Sequence, residues 1–490
     1  LSIHSIAQIK AIENAAIDSG LDAYLLMNRA GQAAYAALRA EWPDVVHILV
    51  VCGFGNNAGD GFVLARLAAA QGMQVTCVVL CQPEQLHGAA RQACQVYINE
   101  GGELQPWNVE LLQSAELIVD AIFGTGLSRT LDESLQSVIN TLNQSVLPKF
   151  SLDIPSGLQA DSGHVMGAAI YAQCTLCFVG LKQGFYLAEG PNHVGKILFD
   201  DLSIPASLCE CVETTAKRLD HLFVRQALPS RTRTAHKGQG GHVLIVGGGR
   251  GMAGAVRLTG EACLRSGAGL VTVVTHPEHV MNVVLERPEL MVKGVRHAEE
   301  LVTLLERADV IAIGPGLGQD EWAHELFAAV IATNKPLIVD ADALNLLAVE
   351  PCYRTNWVLT PHPGEAARLL KMTTGSIQSA RLESAQSLVL RYGGIAVLKG
   401  SGTWVACASE LPVVCDRGNP AMAAPGMGDL LTGVIAGIAA QQADVNSGLW
   451  RSACAGVYVH AWAGDKAAQG RSRGLIASDL LKYLPDCVNP

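Results

Sequence analysis

Short aliphatic runs that stop at glycine-rich polar loops, each followed by a helical apolar rhythm, recur along this chain. His47 to Val51 runs into GFGNNAGDG at 53–61, and His242 to Val246 runs into GGGRGMAGA at 247–255. The run ending at Ile313 leads into GPGLG at 314–318. A run that is apolar at every position is a strand buried on both faces, as in parallel sheets covered by helices. The pattern therefore dictates layered α/β domains with mostly parallel sheets. Composition agrees where it matters. Fifty glycines are available to shape the turns, and a 49% hydrophobic, 16% charged chain excludes disorder. At 490 residues the chain holds two or three domains.

The order of elements favours two. Strands are expected at 47–51, 74–80, 117–121 and 150–153, then at 242–246, 270–274, 309–313, 336–340, 357–360 and 395–399. GFGNNAGDG reads as a turn, with a helix from Phe62 ending at Gly72 and another long helix beginning near Gly428. The break falls in 205–235, where CECVETTAKRLDHLFVRQALP reads either as linker or as the first helix of the second half. The domains are placed at 1–212 and 213–490. The first carries nine Lys/Arg against twenty Asp/Glu, and the second 26 against 25. Neither has the basic excess that nucleic-acid binding requires. The fourteen cysteines lie mostly in apolar runs, where a free thiol is a small hydrophobe. The pairs Cys174/Cys177 and Cys209/Cys211 make a poor zinc set, because ligands at i and i+3 of a strand diverge. LSIHSIAQIK lacks a basic, apolar leader pattern, and Leu430–Ala440 is far too short to span a bilayer. A cytoplasmic protein with no membrane partner is expected.

In the first half, Gly53-Phe54-Gly55-Asn56-Asn57-Ala58 fits the dinucleotide fingerprint G-x-G-x-x-G/A after a strand. The acidic residue that should follow about twenty positions on is absent, since Val79-Leu80-Cys81-Gln82 stands there. The loop is too polar for turn chemistry alone, and its N–H groups suit a phosphate at a helix N-terminus. Two further strand ends are alike: Asp120 before Gly124-Thr125-Gly126, and Asp153 before Pro155-Ser156-Gly157. Ligands of open α/β sheets bind at the carboxyl ends of strands, so three such loops mark one site.

In the second half, Gly426-Met427-Gly428-Asp429 opens an apolar helix. Exposed N–H groups there form an anion hole, and Asp429 is placed to take a hydroxyl proton as a phosphate arrives. Read alone, Asp429 serves equally as a helix cap. His362 in TPHPGE reads as substrate contact or plain loop residue, and Lys182 in FVGLKQG as acid–base group or surface lysine.

Residues 1–212 resemble the N-terminal epimerase domain of NAD(P)HX repair proteins, which restore hydrated nicotinamide cofactors. The family pattern GxGNNGGDG appears here as GFGNNAGDG, with Ala58 replacing a glycine. The resemblance implies a K⁺ site at Asn57, Asp120 and Ser156. It also implies cofactor contacts from Asn56, Asn57, Ala58, Gly59 and Asp60, from Gly124, Thr125, Gly126, Leu127, Ser128, Arg129 and Thr130, and from Asp153. Asp153 and Lys182 are then the acid–base candidates.

GMGD with an upstream KGSGT resembles the ribokinase-like superfamily. The set HKGQGGHVLIVGG, GPGLG, DADALN, TPHPGE, KGSGT and GNPAMAAPGMGD is similar to the ADP-dependent NAD(P)HX dehydratase, with Ala421 and Pro425 departing from the usual pattern. It implies that Lys399, Gly400, Ser401, Gly402, Thr403 and Gly428 hold ADP, with Mg²⁺ beside it. Ala255, Gly316, His362 and Asp429 are implied to meet the hydrated cofactor. The expected fold is a Rossmann-like three-layer αβα domain followed by a ribokinase-like αβα domain. The expected function is bifunctional: R and S hydrates are interconverted, and the S form is dehydrated to NAD(P)H by ADP, releasing AMP and phosphate. Partners would be NADHX or NADPHX and ADP, with a homo-oligomer compatible. The competing reading is a ribokinase-like small-molecule hydroxyl kinase fused to a non-catalytic binding domain.

Overall fold

A computed structural model describes residues 1–228, 230–285 and 287–489. The chain divides into two compact units, Leu1–Ala216 and Lys217–Pro490.

The first unit is built on a seven-stranded, all-parallel sheet. Its order is Leu104–Gln105, Gln74–Val79, His47–Cys52, Leu117–Ala121, Lys149–Leu152, Cys174–Phe178, Lys196–Asp200. Alternation along the strands sends side chains to two cores. Ile48, Val50 and Cys52 meet the helices Ile6–Asp18, Ala23–Glu41, Asn56–Ala70 and Gly88–Asn99, while Leu49 and Val51 meet the layer of Glu133–Gln144. This is a three-layer αβα arrangement. The strand order reverses direction at the pair His47–Cys52 and Leu117–Ala121, so a crevice for ligand is expected beyond their carboxyl ends.

One expectation fails here. Residues 56–61 do not form a turn; the helix already begins at Asn56, with Gly55 as its cap. Tertiary packing overrides the poor propensity of this glycine- and asparagine-rich stretch. A β-carbon at Gly59 would lie 2.3 Å from Met27 Sδ, and one at Gly61 2.6 Å from Ala121 Cβ. The glycines serve close helix approach, not a tight turn.

The second unit centres on a sheet with the order Met291–Gly294, Leu270–Thr275, His242–Val246, Val310–Ile313, Leu337–Val339, Trp357–Leu359, Ile395–Leu398, Thr403–Cys407, Val413–Cys415. All neighbours through Ile395–Leu398 are parallel. Thr403–Cys407 runs antiparallel to both of its neighbours, which the sequence reading did not foresee. The ambiguous stretch after 205 contains the helix His221–Ala227, capped by Asp220. Helix Met427–Ala439 is buried almost throughout. A β-carbon at Gly433 would lie 2.1 Å from the Thr259 carbonyl oxygen and one at Gly437 2.5 Å from that of Cys263. This GxxxG spacing therefore lets the helix Ala253–Arg265 approach closely. Among the described residues no helix is long and apolar enough to cross a membrane.

Candidate active sites

In the first unit, the strand Leu117–Ala121 delivers Asp120 fully buried. Its carboxylate accepts from Ser151 Oγ at 2.7 Å, Ser156 N at 2.9 Å, Ile122 N at 3.3 Å and also Ser156 Oγ. Burial pushes its pKa up, against the downward pull of the Ser156 and Ser151 bonds. No cationic side chain among the described residues pairs with it. Asn57, on the first turn of its helix, donates to the Phe123 carbonyl at 2.9 Å and to that of Leu152 at 3.1 Å. This anchors the amide, yet its buried Oδ1 has no partner among the described residues. Ser156 Oγ accepts from Phe123 N at 2.8 Å. Asn57 and Ser156 are thus both tied to Phe123, and Asp120 to Ser156 and to Ile122, with an orphaned oxygen and an uncompensated carboxylate among the three. Those are the donors a hard monovalent cation takes.

Asp153 follows its strand in the left-handed region at φ +64°. Such strain in a non-glycine residue costs on the order of 1–3 kcal/mol and persists where the surroundings fix it. Lys182 does the fixing. Its ammonium is fully buried and pairs with Asp153 Oδ1, while donating to the Phe178 carbonyl at 2.9 Å and Cys177 Sγ at 3.2 Å. With three N–H groups engaged, Lys182 is a holder of Asp153. Burial, the largest single influence, would lower its pKa, but the Asp153 and Cys177 charges and their hydrogen bonds together outweigh it and raise the value. A β-carbon on Gly124 would stand 3.5 Å from Asp153 Oδ2 and 3.4 Å from Asn57 Cβ, so the three meet at one point. Asp60 is buried nearby, its pKa raised well above the ordinary value by burial and by the Asp153 and Glu13 charges. Glu13, from the first helix, is raised by burial and Asp153 in turn. Nothing in the sequence marked Glu13, which reads as the polar face of an amphipathic helix. Ala58 sits inside the helix with an ordinary helical backbone, so a glycine is not required there. Asn56 is exposed at the helix start, and Gly126, Ser128, Arg129 and Thr130 are exposed in the loop after Asp120.

In the second unit, five successive strands present loops at their carboxyl ends. Lys399, past Ile395–Leu398, places Nζ 2.7 Å from Asp340 Oδ1 and 3.8 Å from Glu365 Oε2. Asp340, 1% exposed, ends the strand Leu337–Val339 and also accepts from Thr432 Oγ1 at 2.8 Å. Burial alone would raise its pKa, but Lys399 and these hydrogen bonds hold it below the usual range. Asp429, half-buried in the first turn of Met427–Ala439, has its pKa pushed up to about 6 by burial and the Asp340 charge, against the pull of Lys399. Glu365 is pushed up to about 7, mainly by burial. A β-carbon on Gly428 would lie 3.2 Å from Lys399 Nζ and 3.4 Å from Asp340 Oδ2, so the helix N-terminus comes up against the ion pair. His362 caps its own helix by accepting from Gly364 N at 2.9 Å, and Glu365 Oε2 accepts from His362 N at 2.7 Å. Burial and Lys399 lower the His362 pKa. Gly316, at φ +56°, lies against Ala255: a β-carbon there would be 3.1 Å from Ala255 Cβ.

Lys399, Gly428, Asp429 and His362 are therefore brought together around one carboxylate-rich centre, while Ala255 and Gly316 adjoin each other. Asp340, Glu365 and Thr432 belong to that centre and were not singled out. Asp340 carried the same signal as Asp120 and Asp153, an aspartate closing a buried strand. Among the described residues no cluster of three His, Cys, Asp or Glu side chains is placed to hold a metal ion, and all fourteen cysteines are unpaired.

Two family models match the chain: NAD(P)H-hydrate dehydratase over residues 243–486, and YjeF-related protein N-terminus over residues 23–184. The chain is 45% identical to the bifunctional NAD(P)H-hydrate repair enzyme Nnr of Coxiella burnetii, across 99% of this chain and 98% of that one. It is 44% identical to the enzyme of the same name from Escherichia coli, across 96% and 90%. Among solved structures, the ADP/ATP-dependent NAD(P)H-hydrate dehydratase of Bacillus subtilis, co-crystallized with ATP and Mg²⁺, aligns with a TM-score of 0.50 at 28% identity. That match covers 56% of this chain and 98% of the other.

Proposed function

This chain belongs to the family of bifunctional NAD(P)H-hydrate repair enzymes, and we propose that its first unit epimerises NAD(P)HX while its second dehydrates the S form with ADP. The observation that carries the dehydratase assignment is the Lys399–Asp340 pair set beside Asp429 at the N-terminus of Met427–Ala439. Phosphoryl transfer depends on positioning and charge neutralisation, and this arrangement offers both. Asp429, ionised in its majority at neutral pH, takes the proton of the C6 hydroxyl as that oxygen attacks the terminal phosphorus of ADP. AMP leaves. The C6–O bond then breaks with loss of phosphate, a proton leaves C5, and NAD(P)H is regenerated. Lys399, oriented by Asp340, offsets phosphate charge. The helix N–H groups around Gly428 receive the anion. We assign Lys399–Thr403 and Gly428 to the nucleotide, and Ala255, Gly316, His362 and Asp429 to the hydrate.

Mg²⁺ takes oxygen ligands, commonly one or two carboxylates plus substrate phosphates. Glu365, a buried carboxylate facing Lys399 at this centre, fits that role together with the phosphates of the nucleotide, and the ion would neutralise phosphate charge there. In the first unit the orphaned Asn57 Oδ1 and the uncompensated Asp120, with Ser156, fit K⁺, which would fix the Phe123–Gly124 loop. Asp153, held by Lys182, is the group we assign to proton transfer at the nicotinamide ring, with Asn56–Asp60 and Gly124–Thr130 holding the dinucleotide. Unpaired thiols throughout support a cytoplasmic setting.

The test is an assay of mixed R and S hydrates of NADH with ADP, or with ATP in its place, reading return of NADH absorbance and release of AMP. Complete conversion of the mixture is expected. A phosphorylated product that never yields NADH would instead point to a hydroxyl kinase.

A further inference from the structure

Arg381 is the first residue of the helix Arg381–Tyr392 and is 3% exposed. A cation at a helix N-terminus opposes the macrodipole, and a buried guanidinium is ordinarily paired with a carboxylate. Among the described residues none pairs with it. Instead Nη2 donates to three carbonyls, those of Leu398 at 3.2 Å, Lys399 at 3.2 Å and Gly402 at 3.1 Å. Nη1 donates to Gln378 Oε1 at 2.7 Å, and Nε has no partner. One arm of the fork, Nη2, thus holds both ends of one loop, while Gln378 fixes the other arm. Gly400, at φ +144°, leaves the space the fork occupies: a β-carbon there would be 2.8 Å from Nη1 and from Nη2. Inside the loop, Thr403 Oγ1 donates to the Gly400 carbonyl at 3.0 Å.

The consequence follows from peptide geometry. In a planar trans peptide the N–H points opposite to the carbonyl before it. With the Lys399 carbonyl turned to Arg381, the N–H of Gly400 faces the other way. A backbone N–H that faces out of a loop is a donor open to an anion. Behind it sits a positive charge that carbonyl dipoles solvate and that no carboxylate among the described residues pairs with.

We propose that Arg381 is the positioning residue that presets the Lys399–Thr403 loop for an adenine nucleotide and adds an uncancelled buried charge to its attraction. The proposal rests on the assignment of that loop to the nucleotide. Arg381 is buried against the loop backbone, so its loss should appear in nucleotide affinity and not in the chemical step.

The experiment uses the full chain with hydrated NADH as substrate and ADP as the varied probe. Arg381→Met is expected to raise the KM for ADP about tenfold or more, the scale of losing hydrogen bonds to a charged group, while kcat and the KM for the hydrate stay within about twofold. The salt dependence of the ADP KM should also flatten as one charge is lost. Arg381→Lys keeps the charge without the fork and is expected to show an intermediate ADP KM with the wild-type salt dependence. If Arg381→Met fails to fold, the Lys variant decides: an ADP KM equal to wild type overturns the proposal. So does a fall in kcat at unchanged ADP KM in either variant. Ser401→Trp, at the exposed tip of the loop, separates the underlying assignment. An ADP KM unmoved by that bulk removes the nucleotide from the loop and takes the proposal with it. A raised KM in Ser401→Trp beside an unmoved one in both Arg381 variants leaves the assignment standing and rejects Arg381.

Discussion

Replacing Asp340 by Asn tests the electrostatics of the dehydratase centre in one direction only. Burial and the Asp340 charge together place Asp429 at about 6, with Lys399 pulling the other way. A base at about 6 is roughly one-tenth ionised at pH 5, so wild-type kcat/KM should fall about tenfold below its plateau there. Asp340→Asn removes the repelling charge and frees Lys399, whose Nζ sits 2.7 Å from Asp340 Oδ1, to act on Asp429. Both changes favour the Asp429 carboxylate. The acid limb should therefore move down, by on the order of one pH unit for a like charge this near. At pH 5 the variant would then lose only about twofold against its own plateau. The measurement is kcat/KM for the hydrate between pH 4.5 and 8 in both proteins at fixed ADP, a range that reaches about 1.5 units below and about 2 units above the wild-type limb. The nucleotide's own titration is common to both and cancels. A limb that stays in place, or moves up, refutes Asp429 as a base tuned by Asp340. The same substitution bears on stability. Asp340 has a folded pKa below its unfolded one, so its contribution is present above about pH 4 and lost as pH falls through the folded value. Unfolding of Asp340→Asn should cost about 3 kcal/mol less at pH 7, with the gap closing in acid.

Further predictions address both units. Asp429→Ala should cut dehydration by ~10²–10⁴ while leaving epimerisation of the hydrates intact, which chiral separation of R and S forms checks. Potassium should raise the melting temperature of the wild-type chain more than sodium does, and Asn57→Ala should abolish that difference by removing the orphaned Oδ1. Lys182→Met leaves Asp153 without its buried partner. Epimerisation should be lost and the first unit destabilised by about 3–5 kcal/mol in denaturant unfolding, with dehydration of pure S hydrate unchanged. Ala58→Gly, which restores the family residue, should destabilise by up to about 1 kcal/mol without raising activity, since position 58 is ordinary helix.

Where the sequence could be read and where it could not follows from how far each signal reaches along the chain. Strands buried on both faces announce themselves locally, and so do polar residues at their ends, because a charge that closes an apolar run has few other reasons to be there. Asp120, Asp153 and Lys399 were visible on that ground. The start of the helix at Asn56 was not, since its glycines report packing against Met27 and Ala121, which lie 32 and 60 residues away in the chain. Helix Val445–Ala468 shows little apolar periodicity because most of its residues are buried, leaving only a narrow polar stripe to be read. Arg381 is the extreme case. Its partners are carbonyl oxygens of Leu398, Lys399 and Gly402, which carry no side-chain identity at all. A residue that acts on backbone leaves no pattern at any spacing, and only the folded chain reveals that the Lys399–Thr403 motif, legible by itself, is shaped by a guanidinium from a helix eighteen residues before it.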